Sequence, residues 1–241
     1  MTTTTLAADH DPMGAAILDH TKGICQGPLT VHSSMFDDDE MPIDHLFRSL
    51  SEMPRLEQEA LSRARGRVLD IGAGAGCHTL ALQERCLEVK AIDISPLSCE
   101  AMRLRGVSDV ECTNLFSPLL QGTYDTILLL MNGTGLAGKV SGMPRLLDRL
   151  KQLLTPGGQI LIDSSDLRYL FDDNDLPSEA DGEPYYGEVD YQMTYAGVEG
   201  APFDWLYLDY PLLEAICQAN GLKCECIMRG DHYDYLAKVS L

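Results

Sequence analysis

Residues 67–86 constrain the fold most. Arg67-Val-Leu-Asp-Ile71 is a short apolar run, Gly72, Gly74 and Gly76 alternate through a turn, and a helical pattern follows through Leu80, Leu82 and Cys86. A buried strand that passes through a glycine turn into a helix is the first half of a βαβ unit. The rhythm then repeats. Val89-Lys-Ala-Ile-Asp93 reads as a second strand, Ser95 or Pro96 opens a helix through Ala101 and Met102, and Asp109–Cys112 reads as a third strand. Tyr124–Met131 is a continuous apolar run, suited to a central strand covered on both faces. A helix carries Leu146, Leu147, Leu150 and Leu153 on its apolar side, Pro156-Gly-Gly158 breaks it, and Gln159–Asp163 is a fifth strand. Near the C-terminus a helix over 211–220 precedes strands over 223–228 and 234–239. The alternation predicts an α/β fold: a doubly wound, seven-stranded, mostly parallel sheet closed by a C-terminal antiparallel hairpin.

With 241 residues the chain is one domain, or one domain with an appendage. Residues 1–65 read as an N-terminal arm. Residues 1–40 are weakly patterned and the first dozen are expected to be disordered. Ile43, Leu46, Phe47 and Leu50 recur at helical spacing, and a second helix starts at Pro54 and stops at Gly66. Residues 66–241 form the main domain, interrupted at 166–210. There Val189, Tyr191, Met193 and Tyr195 alternate with polar residues, as do Phe203, Trp205 and Tyr207, which predicts an inserted β-hairpin after the fifth strand.

The charge balance is lopsided, with 18 Lys+Arg against 37 Asp+Glu and a net charge of −19. That argues against nucleic-acid partners, whose phosphates are held largely by Lys and Arg, and against anionic membrane surfaces. No apolar run is long enough to span a bilayer and the N-terminus has no secretory pattern, so a cytoplasmic protein is expected. Its 8 cysteines include no CxxC pair, which favours reduced, mostly packed thiols over a metal site.

The three glycines let the backbone turn tightly and remove Cβ atoms that would block a close ligand. The following helix N-terminus offers free N–H groups. Asp93 ends the next strand and sits at the switch-point crevice, where a carboxylate can take a ribose diol. A dinucleotide site would place a small residue at 77, where this chain has Cys77, and Asp70 would repel a pyrophosphate. An acidic residue there suits a ligand with an ammonium or sulfonium group.

This stretch resembles motif I of class I S-adenosylmethionine-dependent methyltransferases. Val89–Ile94, Cys112-Thr-Asn-Leu-Phe116, Tyr124–Met131 with Asn132-Gly133, and Leu153-Leu-Thr-Pro-Gly-Gly-Gln-Ile-Leu-Ile162 are similar to the family's later motifs in order and spacing. The resemblance covers about residues 66–165 closely. It implies S-adenosyl-L-methionine as cofactor and methyl transfer to a small molecule. It also implies that Asp70 orients the amino-acid end of the cofactor, with the backbone of Gly72, Gly74 and Gly76 lining it. Asp93 would bind the ribose hydroxyls, with Ile94 against the adenine. Asn114 would meet the adenine amino group beside Leu115, and Asn132 would sit where methyl donor and substrate meet. Asn132-Gly-Thr-Gly135 departs from the Asp/Asn-Pro-Pro-Tyr motif of the members that methylate planar amines, which puts DNA-base and glutamine methylation in doubt. Blander readings stand beside these: Asn114 as a loop cap, Asn132 as a turn residue, His78 as local packing.

Residues 166–210 hold twelve acidic residues against one basic residue, Arg168, together with seven tyrosines and the only tryptophan. Placed after the fifth strand, this stretch can wall a pocket for a cationic or amine substrate, or its aromatics can form the apolar face of an added hairpin. No pair of residues is spaced to identify a general base; His32, Asp166, Tyr185 and Tyr186 are candidates by location only. Two other function classes remain: a cofactor-binding protein without transferase activity, and a nicotinamide-dependent dehydrogenase. Oligomeric state is open.

Overall fold

The computed structural model describes residues 4–24, 26–171 and 184–241. Six acidic residues of the inserted segment, at 172, 173, 175, 179, 181 and 183, therefore lie outside the described residues, as do residues 1–3 and Cys25.

The arm begins with α1 (Pro12–Thr21), a helix inside the stretch whose start is predicted to be disordered. Asp11 accepts from the Gly14 N–H at 2.9 Å and Pro12 occupies the first turn, so the helix start is capped by its own sequence. Ala16, Ile17 and Leu18 are buried. Two short strands follow, β1 (Leu29–His32) and β2 (Asp39–Met41). The helix predicted through Ile43 and Leu50 is instead two 3-10 turns, Ile43–Leu46 and Leu50–Glu52. The break has a cause: the Ser49 N–H and hydroxyl both bind the Glu52 carboxylate, at 2.8 and 2.6 Å, and restart the turn. Then α2 (Arg55–Arg63) begins after Pro54.

The main sheet runs through β3 (Arg67–Ile71), β4 (Glu88–Asp93), β5 (Val110–Cys112), β6 (Tyr124–Leu129) and β7 (Leu154–Ser165). Its helices are α3 (Cys77–Glu84), α4 (Pro96–Leu104) and α5 (Met143–Leu153). The insertion contributes β8 (Glu188–Tyr195), β9 (Val198–Glu199) and β10 (Phe203–Leu206). The chain ends with α6 (Tyr210–Ala219), β11 (Lys223–Arg229) and β12 (Asp234–Ser240).

Seven strands pair in the order β11-β12-β7-β6-β3-β4-β5. The β3, β4, β5, β6 and β7 pairings are parallel, and β12 runs antiparallel to both β7 and β11. This is the predicted α/β architecture. Alternation along β3 feeds two cores. Leu69 and Ile71 pack with Ile127, Leu146 and Leu150, whereas Val68 packs with Leu56, Ala60, Leu61 and Leu82 on the opposite face. Asp70 shares the face of Val68, beneath α2 and α3. Strand order reverses beside β3, so a crevice opens at the carboxyl ends of β3, β4 and β6.

The inserted hairpin is larger than predicted. β8 pairs antiparallel with β10 and β9, and also with β1 of the arm (Thr30↔Thr194, Val31↔Met193), which in turn pairs with β2. The arm is thus only partly helical, and its strands complete a second sheet, β10-β8-β1-β2, with β9 on β8.

Candidate active site

Gly72, Gly74 and Gly76 all have positive φ, at 70°, 56° and 81°, a region that side chains other than glycine adopt at a cost. Their surroundings separate them. A Cβ on Gly72 would meet nothing within 4 Å, and on Gly74 its nearest neighbours would be 4.0 Å away. A Cβ on Gly76 would lie 2.9 Å from Val107 and 3.0 Å from Met102. Gly72 and Gly74 therefore leave open space that a cofactor can fill, while Gly76 lets α3 pack on α4.

Asp93 ends β4 beside this loop. One carboxylate oxygen accepts from the Gly74 N–H at 2.8 Å and the other from the Ser95 N–H at 2.9 Å. Each oxygen keeps a free lone pair, which fits a pair of ribose hydroxyls. Burial pushes its carboxyl up to about 6, the two backbone hydrogen bonds oppose that, and the nearby acids Asp11 and Asp70 reinforce it. Ile94 is exposed and its carbonyl accepts from the Leu6 N–H, so the arm runs past the end of β4.

Asp70 is buried and accepts from the Thr79 hydroxyl at 2.6 Å. Burial raises its pKa, countered by His78. The His78 ring bonds Glu57 at 2.7 Å, inside a buried polar cluster under the loop. Asn114 is half-buried, and its side-chain oxygen accepts from the Phe116 N–H at 2.9 Å. Leu115 lies in the main core, its carbonyl bound by Arg149 at 2.7 Å.

At the end of β6, Met131 and Asn132 are both left-handed, at φ 65° and 60°. The strain is held by one residue that sequence spacing did not single out. Asp163 on β7 accepts from the N–H groups of Met131, Asn132 and Gly133 at 3.1, 2.8 and 3.3 Å. Burial pushes the Asp163 carboxyl up to about 7 against the pull of these three donors. The Asn132 side-chain oxygen accepts from Ser165 at 2.9 Å.

The rest of this turn meets the second sheet. Thr134 bonds the Leu206 carbonyl at 2.8 Å and Ser164 at 2.7 Å. A Cβ on Gly135 would lie 1.9 Å from the Trp205 ring. The departure from a Pro-Pro-Tyr turn thus has a physical reason: this turn has to admit the tryptophan of β10.

A cavity of about 360 Å³ opens beside Asn132, lined also by Phe36, Tyr169, Tyr191, Tyr207, His232 and Asp234. It draws on the arm, the insertion and the C-terminal hairpin. The Tyr191 and Tyr207 hydroxyls lie 3.1 Å apart. At the hairpin tip, Tyr233 has φ 61° and stacks on Tyr169 at 4.6 Å, and the His232 N–H is fixed by Asp234 at 3.1 Å. The polar tip Gly230-Asp-His-Tyr-Asp234, joined to a strand beside β7, was the available signal for these residues.

None of the four base candidates lines this cavity. His32 sits between Thr194 at 3.0 Å and Asp38 at 2.9 Å. The Tyr185 hydroxyl donates to Asp209 at 2.7 Å, and the Tyr186 hydroxyl donates to Asp166 at 2.8 Å. Burial raises the pKa of both tyrosines, which makes them poor proton acceptors. The described acids of the insertion also have structural partners. Asp190 binds Ser34 at 2.5 Å, Glu188 binds the Val140 N–H at 2.9 Å, and Asp209 caps α6 through the Leu212 N–H at 2.9 Å.

Among the described residues no helix is long and apolar enough to cross a membrane. The model of a methyltransferase domain family matches residues 44–226. A crystal structure of an S-adenosylmethionine-dependent methyltransferase from Bacteroides fragilis, in complex with S-adenosyl-L-homocysteine, is 52% identical. That match covers 99% of this chain and 98% of that one, with a TM-score of 0.92. The CcbJ methyltransferase from Streptomyces caelestis shares the fold at 14% identity, with 97% of each chain covered and a TM-score of 0.62. CalS10, an amino pentose methyltransferase from Micromonospora echinaspora, does so at 18% identity over 76% of this chain and 86% of that one, with a TM-score of 0.53. No curated protein sequence matches this chain. The glycine cradle, the carboxylate at its rim and these matches agree, and the nicotinamide reading falls: the chain belongs to the S-adenosylmethionine-dependent methyltransferase family.

Proposed function

We propose that this methyltransferase acts on a small molecule bearing an amine, held in the aromatic cavity beside Asn132. The observation that carries the reading is the cavity lining: four aromatic side chains, one imidazole and one carboxylate around a single opening. Aromatic faces attract a cationic or amine group, and Asp234 supplies a local negative charge. The insertion's described acids do not supply it, because their partners lie elsewhere.

S-adenosylmethionine, when bound, supplies a methyl group already activated on a sulfonium. The chain's own residues then have to align the acceptor, exclude water and receive a proton. In this reading Gly72, Gly74, Asp93, Ile94 and Asn114 hold the cofactor, and Asn132, fixed by Asp163, sets the boundary with the acceptor. The second sheet covers the cavity, so residues 1–65 and 166–210 act together as the acceptor-side wall. His232 is exposed at the cavity edge and its ring has no hydrogen bond among the described residues.

The test is a panel of small amines, aminosugars included because the names of CalS10 and of KedS8, a sugar N-methyltransferase of the same fold, concern such compounds. Release of S-adenosylhomocysteine with N-methylated product is expected from at least one of them. Turnover confined to hydroxyl or carboxylate acceptors sinks the amine reading.

A further inference from the structure

Asn132 lines the acceptor cavity and is fixed in place there. Its left-handed backbone donates an N–H to Asp163 at 2.8 Å and accepts from the Gly135 N–H at 3.0 Å. Its side-chain oxygen accepts from the Ser165 hydroxyl at 2.9 Å. Ser165 lines the same cavity and stands opposite Asp234 in the pairing of β7 with β12. The Asn132 amide nitrogen has no hydrogen-bond partner among the described residues, and it is open to the cavity rather than occluded. With its oxygen engaged, the amide offers its remaining capacity, a pair of N–H donors, to whatever the cavity holds.

Asp234 gives the same cavity the opposite character. One of its carboxylate oxygens accepts from the His232 N–H at 3.1 Å, and the other has no partner among the described residues. The cavity thus carries donors at Asn132 and an acceptor at Asp234. On the amine reading of the acceptor, on which this inference rests, the amine N–H groups meet Asp234. The amine nitrogen attacks through its single lone pair, which has to face the methyl group. An amide N–H bonded to that lone pair would hold it back, so the Asn132 donors need another atom beside the amine. An oxygen on the same carbon as the nitrogen would make an aminal, which hydrolyses in water, so the shortest stable link has two carbons. The geometry points to an acceptor that carries an oxygen two carbons from its amine nitrogen, read by the Asn132 amide, with Ser165 as the residue that positions that amide. An amine lacking the oxygen leaves those donors facing hydrocarbon, so the same group that selects also rejects.

Morpholine and piperidine are the same ring with and without such an oxygen, and dioxane replaces the amine itself. Calorimetry on the full chain saturated with S-adenosylhomocysteine compares the three without turnover. Asn132→Asp tolerates the left-handed backbone and keeps the Ser165 bond, but it has no donor. The preference for morpholine over piperidine should be about 3- to 10-fold larger in the wild type than in this variant, the worth of one neutral hydrogen bond. Comparing the two proteins cancels the difference in basicity between the probes. Ser165→Ala frees the amide to turn and should lose part of the preference with piperidine affinity unchanged, which a general loss of structure would not do. It also carries the test if Asn132→Asp does not fold. An unchanged preference in Asn132→Asp overturns the assignment and leaves the amine reading standing; an unchanged preference in Ser165→Ala removes its positioning role. Dioxane binding as tightly as morpholine sinks the amine reading instead, and binding of none of the three overturns both.

Discussion

In the proposed reading, the cofactor half of the crevice comes from one stretch of chain, residues 70–115, and the acceptor half from pieces spread between Phe36 and Asp234. On the cofactor side the chemistry rests on backbone: glycines with open space before them, and N–H groups bonded to Asp93. On the acceptor side it rests on side chains held by a second sheet whose strands are remote in sequence, such as Thr30 against Thr194. Local backbone chemistry tolerates little variation. A surface assembled from distant side chains can be rebuilt, which suits the part of an enzyme that chooses its substrate.

Asp163 joins the halves, and breaking it should have the largest effect. Asp163→Ala leaves three backbone N–H groups and two left-handed residues without their acceptor. At about 1–3 kcal/mol for each of the three unsatisfied donors, a loss of roughly 3–9 kcal/mol is expected in urea unfolding. Asp163→Asn keeps one acceptor oxygen and should lose less.

The same residue gives a pH signature. Asp163 and Asp93 have folded-state pKa values of about 7 and about 6, above the ordinary 3.8. The folded protein therefore holds protons more tightly than the unfolded chain between pH 4 and 7. Stability contributed by these two groups is present below pH 4 and is lost as pH rises through 6 and 7. The loss is on the order of 4 kcal/mol for Asp163 and about 3 kcal/mol for Asp93, since a tenfold difference in proton affinity between the folded and unfolded states is worth about 1.4 kcal/mol. The Asp163→Asn variant should show a shallower fall in melting temperature between pH 5 and 8; an unchanged slope removes Asp163 from the titration.

At the seam between the turn and the second sheet, Gly135→Ala would drive a methyl into Trp205. Overpacking of this kind costs about 1–3 kcal/mol. Because the same turn carries Asn132, turnover should fall while S-adenosylhomocysteine affinity stays near wild type. Equal losses in both would mean that the two halves are not separable.

This division also explains what the sequence revealed. The β3 to β7 strands and the glycine turn were legible because each is a local pattern, with strand apolarity, turn residues and helix periodicity lying side by side. The pairing of β1 with β8 was not, because a four-residue strand such as Leu-Thr-Val-His carries no alternation strong enough to name a partner far along the chain. The capped start of α1 was readable from Asp11 and Pro12, yet the weak pattern around it hid the helix. Tyr185 and Tyr186 were placed by composition near the site, and only the fold could show that their hydroxyls turn to Asp209 and Asp166.

Those tyrosines furnish the smallest and most discriminating test. Tyr185→Phe and Tyr186→Phe each remove a hydrogen bond to a carboxylate that caps an element, so each should cost about 1 kcal/mol of stability. Neither lines the cavity, so kcat/KM should stay within about twofold of wild type, less than 0.5 kcal/mol of transition-state stabilisation. Tyr207→Phe differs by the same single oxygen, but its hydroxyl faces Tyr191 at the cavity wall, 3.1 Å away. Burial raises the pKa of both partners, so the pair is neutral at working pH and can offer a hydrogen bond to an amine without accepting its proton. Its loss should raise KM several-fold at little cost in stability. The opposite pattern, with Tyr185→Phe changing KM and Tyr207→Phe changing only stability, would move the acceptor site from the cavity beside Asn132 to the Tyr185–Asp209 side of the insertion.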